Sequence, residues 1–277
     1  MSSPLRSAAL PVLLAVSIGT ARAESEEANL FENTFYVSLG TFIVGTDTRV
    51  QVNGQAAVGD EIDLEKTFGV SDKQRFRIDG YWRFADRHKV RFLWFERSAQ
   101  ASRVLEDGIE FDGTIFPAST RVKLTNDFAV YELAYEYVVL QRPNFELSGS
   151  FGLHYAEFSA ELDGKASPIG GGTVEATLRG TASLDAPLPV IGLRGLWHVG
   201  RNWWLDASAQ FFALEIDSYS GNLQDYRAAI SWQPKPYAGV GFGYNAFRVN
   251  VDLDTSDFRG SLDWAYYGPQ VFFTASF

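Results

Sequence analysis

The sequence predicts an all-β protein: a transmembrane antiparallel up-and-down β-barrel of about ten strands, preceded by a cleaved signal peptide. Three observations favour this fold class. Apolar and polar residues alternate with a period of two along successive segments, which is typical of strands with one apolar and one wetter face. Aromatic residues are abundant, with 22 Phe, 12 Tyr and 7 Trp. No apolar run beyond the amino terminus approaches the roughly 20 residues that a membrane helix needs.

The amino terminus has the pattern of a secretory signal peptide. Arg6 precedes a short apolar run over 8–19, and Ala21-Arg22-Ala23 provides small residues at a cleavage site. We therefore expect cleavage after Ala23, which makes 1–23 the signal peptide. A polar periplasmic lead-in over 24–33 and the barrel over 34–277 follow.

Composition excludes several functional classes. The chain has no cysteine, so disulfides, a lipidated amino-terminal cysteine and thiolate metal sites are excluded. The 34 acidic residues outnumber the 24 basic ones, for a formal net charge of −10, which argues against nucleic-acid binding. We predict no cofactor and no metal site.

The first five predicted strands lie before the longest interruption of the alternation. They cover 34–52, 74–84, 89–103, 120–140 and 145–162. Short turns at 85–88 and 141–144 join the second strand to the third and the fourth to the fifth. The interruption contains Gly170-Gly171-Gly172, and we expect its flanks, 156–162 and 173–179, to pair with each other above the membrane.

The last five predicted strands show two irregularities. The sixth ends with the alternation from Ile191 to Trp197, and the others cover 203–214, 226–232, 237–253 and 261–277. Pro187 and Pro189 cannot donate ladder hydrogen bonds, so they indicate either a bulge or the start of the membrane part of the sixth strand. In the ninth strand the apolar residues share parity with later polar ones, which predicts a bulge near Asn245.

Connection lengths predict the orientation. The connections after even-numbered strands are short, so both termini lie on the side of the short turns, which in such barrels is the periplasm. Aromatic residues flank these turns, as expected for an interfacial girdle. They are Tyr81, Trp82, Tyr137, Phe145, Trp197, Trp203, Trp232 and Tyr237.

The carboxyl end carries a resemblance to a known class. In residues 266–277, apolar or aromatic residues alternate with mostly polar or small ones, and the segment ends on Phe277. This resembles Gram-negative outer-membrane β-barrel proteins, and the resemblance implies that Phe277 is an assembly signal read by the barrel-assembly machinery. Residues 243–247, 257–260 and 268–270 are similar to uncharacterised small barrels of proteobacteria. The wider similarity to barrels of the OmpA, OmpW and omptin kinds is one of architecture.

The resemblance also implies surroundings and partners. It places the chain in the cell outer membrane, in contact with outer-membrane lipids and lipopolysaccharide. We expect a monomer. The alternative fold is a periplasmic β-sandwich, in which the charged face of each strand would meet solvent while the aromatic face packs.

In a barrel the polar face of each strand points into the lumen. The predicted lumen residues are Arg75, Arg77, Asp79, Arg83, Arg91, Arg97, Glu132, Glu136, Glu146, His154, Arg194 and Asp206. Because a barrel of this size is narrow and each buried charge needs a partner, we expect these charges to pair and plug the lumen. The protein would then be non-enzymatic and act through its outer loops or in envelope integrity. The alternative is a narrow channel for small solutes or ions.

The sequence does not contain the His and Asp arrangement of an omptin-like protease. Omptin-like proteolysis needs a His–Asp pair and a second Asp pair at the outer rim. Here His88 and His198 lie near the periplasmic turns, and only His154 lies in the outer half, with Asp163 nearest in sequence. Acidic residues of 60–65 and 106–112 fall on predicted outer loops and could hold divalent cations against lipopolysaccharide phosphates.

Overall fold

The computed structural model describes residues 28–43, 45–53, 59–69, 74–166, 176–216, 219–254 and 259–277. The predicted signal peptide lies outside the described residues, as do the first four residues of the predicted lead-in. Fourteen strands and one short helix follow in chain order. They are β1 (Phe35–Ile43), β2 (Gly45–Val52), β3 (Glu61–Asp63), α1 (Leu64–Phe68), β4 (Gln74–Ala85), β5 (His88–Val104), β6 (Ile109–Phe111), β7 (Thr114–Phe116), β8 (Arg121–Arg142), β9 (Phe145–Ala166), β10 (Ala176–Gly200), β11 (Trp203–Ile216), β12 (Tyr219–Lys235), β13 (Ala238–Asp254) and β14 (Arg259–Ser276).

The strands form a closed antiparallel barrel. Neighbours follow chain order from β4 through β5, β8 and onward to β14, and β1 pairs with both β4 and β14 to close the wall. The closure is reciprocal at the carboxyl end, where the Phe35 amide donates to Phe277 O at 3.0 Å and the Phe277 amide donates to Phe35 O at 2.9 Å. Closure leaves no backbone edge along this seam. The predicted fold class is confirmed.

The first predicted strand consists of two elements that together form one wall strand. Both β1 and β2 pair with β14, which runs alongside them without interruption. On the opposite side, β1 pairs with β4 whereas β2 pairs with the short β3. Counting β1 and β2 as one strand, the barrel wall has ten strands.

The two ends of the barrel differ. Short turns follow β4, β8, β10 and β12, and we call their side the turn end; the opposite side is the loop end. The longest strands extend beyond the others at the loop end: β8 and β9 have 22 residues each, and β10 has 25. The strands before and after the long interruption pair as expected, but in a different register: 156–162 lies opposite 180–186, and the described part of 173–179 lies opposite 163–166.

An apolar belt surrounds the exterior. Its members include Leu39, Leu133, Phe151, Leu193, Leu205, Ile230, Phe242, Val271 and Phe273. Exposed aromatic residues border it on both sides: Phe35, Trp82, Tyr137, Trp203, Trp232 and Tyr237 at the turn end, and Trp94, Tyr131, Phe211, Tyr226, Tyr244 and Tyr267 toward the loop end. Such a belt between two aromatic girdles is the lipid-facing surface of a transmembrane barrel. Tyr81 was predicted in the girdle but is buried in the lumen, because it lies on the opposite face of β4 from Trp82.

Polarity reverses between the two halves of the barrel. In the belt region β8 turns Glu132 and Glu136 inward, but further toward the loop end the same inward face carries Leu124 and Phe128. There the outward face is polar, as exposed Asp127 shows. The inward residues of this outer part form a large apolar core, as in a soluble sandwich.

This reversal corrects the predicted bulge near Asn245. Asn245 pairs with Gly268 in an unbroken β13–β14 register, and it points inward. Tyr244 and Arg248 both face outward, the first in the outer girdle and the second beyond the membrane. The change in residue type along this face therefore marks the end of the belt, and the strand needs no extra residue.

The prolines of β10 do not form a bulge. Pro187 pairs with Tyr155 and Pro189 with Leu153 in a continuous ladder with β9. The irregularity of β10 lies instead between His198 and Gly200, beside the turn. The prolines lie just beyond the point where the β10–β11 ladder begins, at Ile191 and Phe211.

The β6–β7 hairpin closes one side of the outer core. Phe111 and Phe116 are fully buried, and their rings lie over Gly180 and Gly164, where an added Cβ would come within 2.8 Å of each ring. The neighbouring helix α1 is capped by Asp63, whose carboxylate accepts from the Lys66 amide at 2.8 Å. Among the described helices none is long and apolar enough to cross a membrane.

The described part of the lead-in enters the turn-end mouth of the barrel. Leu30 and Phe31 are buried in a cluster with Tyr36, Tyr81 and Trp204. The Tyr81 hydroxyl donates to Leu30 O at 3.0 Å, and the Phe31 ring packs edge-on against Trp204 at 4.9 Å. This segment therefore covers the mouth from inside.

Candidate functional site in the lumen

The predicted lumen residues converge inside the belt region of the barrel. Those buried to 9% exposure or less are Arg77, Asp79, Arg83, Arg91, Arg97, Glu132, Glu136, Glu146, His154, Arg194 and Asp206. Arg75 occupies β4 opposite Phe42, and its side chain lies outside the described residues. Strand alternation places the rest, because every second residue of each wall strand points inward.

The cluster nearest the turn end centres on Lys89. Its ammonium donates to Glu136 Oε1 at 3.0 Å and also bonds the carboxylate of Glu146. Arg83 Nη2 lies 2.9 Å from Glu146 Oε2, and Arg91 Nη1 lies 3.3 Å from Glu136 Oε2. Three cations and two carboxylates from β4, β5, β8 and β9 thus form one connected group.

A second cluster lies across the lumen on β10, β11 and β12. The Asp206 carboxylate accepts from Arg194 Nε at 2.5 Å and from Arg227 Nη1 at 2.6 Å. The Tyr81 ring joins the two clusters, since Lys89 Nζ lies 5.0 Å and the Arg194 guanidinium carbon 5.6 Å from its centroid. The lumen is therefore bridged from wall to wall at this height.

A third cluster lies closer to the loop end. Arg77 Nε donates to Asp79 Oδ1 at 3.0 Å, and Arg77 Nη1 donates to Asn245 Oδ1 at 2.5 Å. The Asn245 amide in turn donates to Asp225 Oδ1 at 2.6 Å. The Tyr266 hydroxyl donates to Asn245 Oδ1 at 3.0 Å. Asn245 thus connects charged groups on β4 and β12 with the Tyr266 hydroxyl on β14.

His154 and Arg97 mark the boundary with the apolar outer core. His154 Nε2 lies 2.9 Å from Gln210 Oε1 and 3.4 Å from Glu132 Oε2, and Gln210 Nε2 donates to Glu132 Oε1 at 2.7 Å. Arg97 lies 3.0 Å from Asn126 Oδ1 and 3.5 Å from Glu65 Oε1. Each of these charged groups has a polar partner despite its burial, as stability requires.

Charges inside the described lumen balance. Its buried cations are Arg77, Arg83, Lys89, Arg91, Arg97, Arg194 and Arg227, and its buried carboxylates are Asp79, Glu132, Glu136, Glu146, Asp206 and Asp225. Glu65, which is 17% exposed, supplies a seventh carboxylate as a partner of Arg97. A void of about 10 Å³ remains between Tyr36, Tyr81 and Asp206, about the size of one water molecule.

Sequence reasoning missed several members of this network. Lys89, Asp225 and Arg227 share parity with inward residues of their own strands, so strict alternation could have found them. Asn245 was interpreted as part of a bulge. Glu65 belongs to α1, and no strand periodicity could have placed it beside Thr46 Oγ1 and Thr48 Oγ1, at 2.8 and 2.9 Å.

The histidines and loop acids do not assemble a reactive centre in the described structure. His88 Nδ1 lies 2.6 Å from the Tyr135 hydroxyl, and His198 stacks on Trp204 at 4.6 Å, both near the turns as predicted. Asp163 faces outward and pairs with Arg179, away from the inward His154. Within the described residues no three His, Cys, Asp or Glu side chains group as metal ligands.

Four of the loop acids that suggested cation binding have structural partners. Asp60 accepts from the Glu110 amide at 2.8 Å, and Asp112 accepts from the Thr181 amide at 3.3 Å. Asp63 caps α1, as described above, and Glu65 points toward the lumen. These carboxylates hold the outer segments together.

Fold and interior together define a transmembrane antiparallel β-barrel of the outer-membrane kind, with a side-chain-filled lumen. Solved structures of that kind match the chain. The outer-membrane protease OmpT from Escherichia coli is 11% identical over 90% of this chain and 98% of its own, with a TM-score of 0.59. OprG from Pseudomonas aeruginosa is 13% identical over 91% and 98%, and the toluene transporter TodX from P. putida is 10% identical over 89% and 90%, each with a TM-score of 0.37.

These similarities are similarities of fold. At 11% identity, the likeness to OmpT shows a shared barrel and nothing of its activity. No family model matches the chain, and no curated protein matches it.

Proposed function

We propose that this chain is a non-enzymatic integral protein of the bacterial outer membrane with a closed lumen, and that it acts through its loop-end extension in surface contact or envelope integrity. The turn end then faces the periplasm and the loop end faces outward. The observation that carries the proposal is the charge network, which bridges the lumen from β4 to β11 through Lys89, Glu146, Tyr81, Arg194 and Asp206.

Two further features support a closed barrel. The Leu30–Phe31 segment covers the turn-end mouth, and the apolar core fills the interior beyond His154. An ion crossing the lumen would have to separate buried charge pairs. Leaving a buried charge without its partner costs several kcal/mol per ion.

Planar-bilayer recording of the refolded chain tests the closed lumen. We expect a silent bilayer, because the paired charges bridge the described interior from wall to wall. Heat-modifiable gel migration, the different mobility of boiled and unboiled barrel, serves as the control for folding. Reproducible current steps whose size changes in Arg91→Ala would instead establish the narrow channel and refute the closed barrel.

The apolar outer interior also supports the non-enzymatic role. The residues of the described outer core are aliphatic or aromatic, whereas proteolysis of the omptin kind needs His and Asp at that rim. His154 is fully buried among Glu132, Gln210 and Phe247, so no substrate reaches it in this structure. Peptide cleavage by the folded protein, lost in His154→Gln, would overturn this part of the proposal.

The proposed partners follow from the two exposed surfaces. Outer-membrane lipids contact the apolar belt, and lipopolysaccharide contacts the polar outward face above it. We propose a monomer without nucleic-acid partners. Light scattering of the detergent-solubilised barrel at two protein concentrations tests the oligomeric state, and a concentration-dependent dimer would contradict it.

Phe277 is proposed to act in assembly by the barrel-assembly machinery. Its ring is 57% exposed, while its backbone exchanges hydrogen bonds with Phe35. We therefore expect Phe277→Ser to lower the amount of folded barrel in cells while changing unfolding in vitro by less than about 1 kcal/mol, as for surface substitutions. Quantitative blotting of unboiled membranes measures the first effect. Equal levels of variant and wild type would exclude the assembly role.

A further inference from the structure

The barrel wall opens between β10 and β11 at the level of the outer girdle. Within the described residues, the ladder between these strands runs from the turn to Ile191 and Phe211 and stops there. Beyond that point β10 continues from Val190 back to Ala176 against β9 alone, and β11 continues to Ile216 against β12 alone. The two strands therefore separate while each remains paired on its other side.

A crevice of about 650 Å³ occupies this separation. Its lining includes outward-facing Phe151, Ile191 and Phe211, which are 63%, 68% and 42% exposed and belong to the belt or its girdle. It also includes Val190 and Leu223, which are 3% and 0% exposed and belong to the apolar core. The crevice is therefore open on the lipid-facing side, above the charge network, and core residues form its floor.

Two prolines on the unpaired part of β10 make this opening compatible with an apolar environment. An unpaired strand edge in hydrocarbon is costly because its N–H groups find no acceptor. Pro187 and Pro189 lie on the separated part of β10, and proline has no N–H. Pro189 itself lines the crevice. The two prolines therefore reduce the number of orphan donors where the wall is open.

We infer that one acyl chain of a bilayer lipid inserts into this crevice. The occupant is a bilayer lipid because the opening is continuous with the apolar belt, so hydrocarbon chains are already its neighbours. Polar Asn222 and Gln224 lie on the β12 side of the crevice and would face the headgroup region. The volume lies within the range of roughly 300–1,000 Å³ that is usual for small-molecule sites.

Photocrosslinking of the full folded chain tests this site. The probe is a phosphatidylcholine with a diazirine in the middle of one acyl chain, mixed into phosphatidylcholine vesicles that contain the barrel. Adducts are mapped by peptide mass spectrometry. We expect adducts on buried Leu223 and half-buried Phe212, in addition to those on the exposed belt residues Val271 and Phe273.

A matched pair of variants separates insertion from general lipid contact. Ala213→Trp fills the crevice, and we expect it to lower the Leu223 and Phe212 adducts roughly tenfold, equivalent to about 1.4 kcal/mol of binding. Ala209→Trp places the same side chain on the same face of β11, where the ladder to Leu193 is intact, and it should leave the adducts unchanged.

Three outcomes would count against the inference or its premise. Wild-type adducts on Leu223 no more frequent than on Leu188, which is equally buried but does not line the crevice, would overturn the inference even if Ala213→Trp fails to fold. An unchanged Leu223 adduct in folded Ala213→Trp would overturn it as well. Absence of adducts on Val271 and Phe273 would instead contradict membrane embedding of the belt.

Discussion

Replacing Glu136 with glutamine lowers the free energy of unfolding by about 3–5 kcal/mol, the usual cost of stranding a buried charge. Glu136 is fully buried and is the carboxylate partner of both Lys89 and Arg91. Glutamine keeps the volume but removes the charge, so Arg91 loses its ion pair and Lys89 keeps only Glu146. The measurement is urea unfolding in phospholipid vesicles, followed by tryptophan fluorescence.

Two controls identify the cause of that loss. Asp263→Asn removes the half-buried partner of exposed Arg248, at 2.6 Å, and should change stability by no more than about 1 kcal/mol. Hydrogen bonding to Asp263 raises the pKa of Arg248 above its ordinary value, and the guanidinium stays charged without that bond because arginine is always protonated near neutral pH. Arg91→Gln combined with Glu136→Gln should recover part of the loss, because the surplus cation disappears. Equal losses in the single and double variants would show that packing, not charge, is responsible.

Trp264→Ala is expected to cost about 3–5 kcal/mol by leaving a cavity in the outer core. Trp264 has no exposed surface, stacks on Phe128 at 3.6 Å and meets Phe247 edge-on at 5.5 Å. Because these rings lie beyond the charge network, the loss should appear first in the outer part of the barrel. Hydrogen exchange should speed up at β8 residues 122–128 more than at 132–138.

Trp94→Ala is the matched control for that experiment. Trp94 is 42% exposed in the outer girdle, so its truncation leaves no cavity in the core. It should leave hydrogen exchange at 122–128 close to that of the wild type. If Trp94→Ala and Trp264→Ala speed exchange equally there, the outer part has no separate apolar core that depends on Trp264.

Strand positions and the inward charges could be predicted because they follow from local periodicity. Arg83, Arg91 and Glu136 alternate with apolar neighbours, and this local pattern does not depend on contacts with the rest of the chain. The predicted bulge at Asn245 was wrong because the same alternation has opposite polarity in the two halves of the barrel. Inward residues are polar within the belt and apolar beyond it. The sequence alone does not say at which residue the membrane ends.

Other features depend on tertiary contacts that no period reveals. Glu65 reaches Arg97 from a five-residue helix, and Leu30 enters the mouth from a segment that looks like a polar linker. The opening between β10 and β11 results from the unequal lengths of two neighbouring strands, 25 and 14 residues. Pro187 and Pro189 were interpreted as a bulge or as the start of the membrane part of the strand, and only the register shows that β11 separates from β10 there.

Because the charges of the described lumen balance, the electric field around the molecule arises mainly from its other charged groups. Seven cations and seven carboxylates compensate one another within the described lumen, so they add nothing to the formal net charge of −10, which comes from the other groups of the chain. Outward carboxylates such as Glu96, Glu157 and Asp185 stand just beyond the outer girdle. A molecule that approaches this patch of the outer surface therefore meets negative groups, which repel anions and attract cations over a distance of about 8 Å at physiological salt.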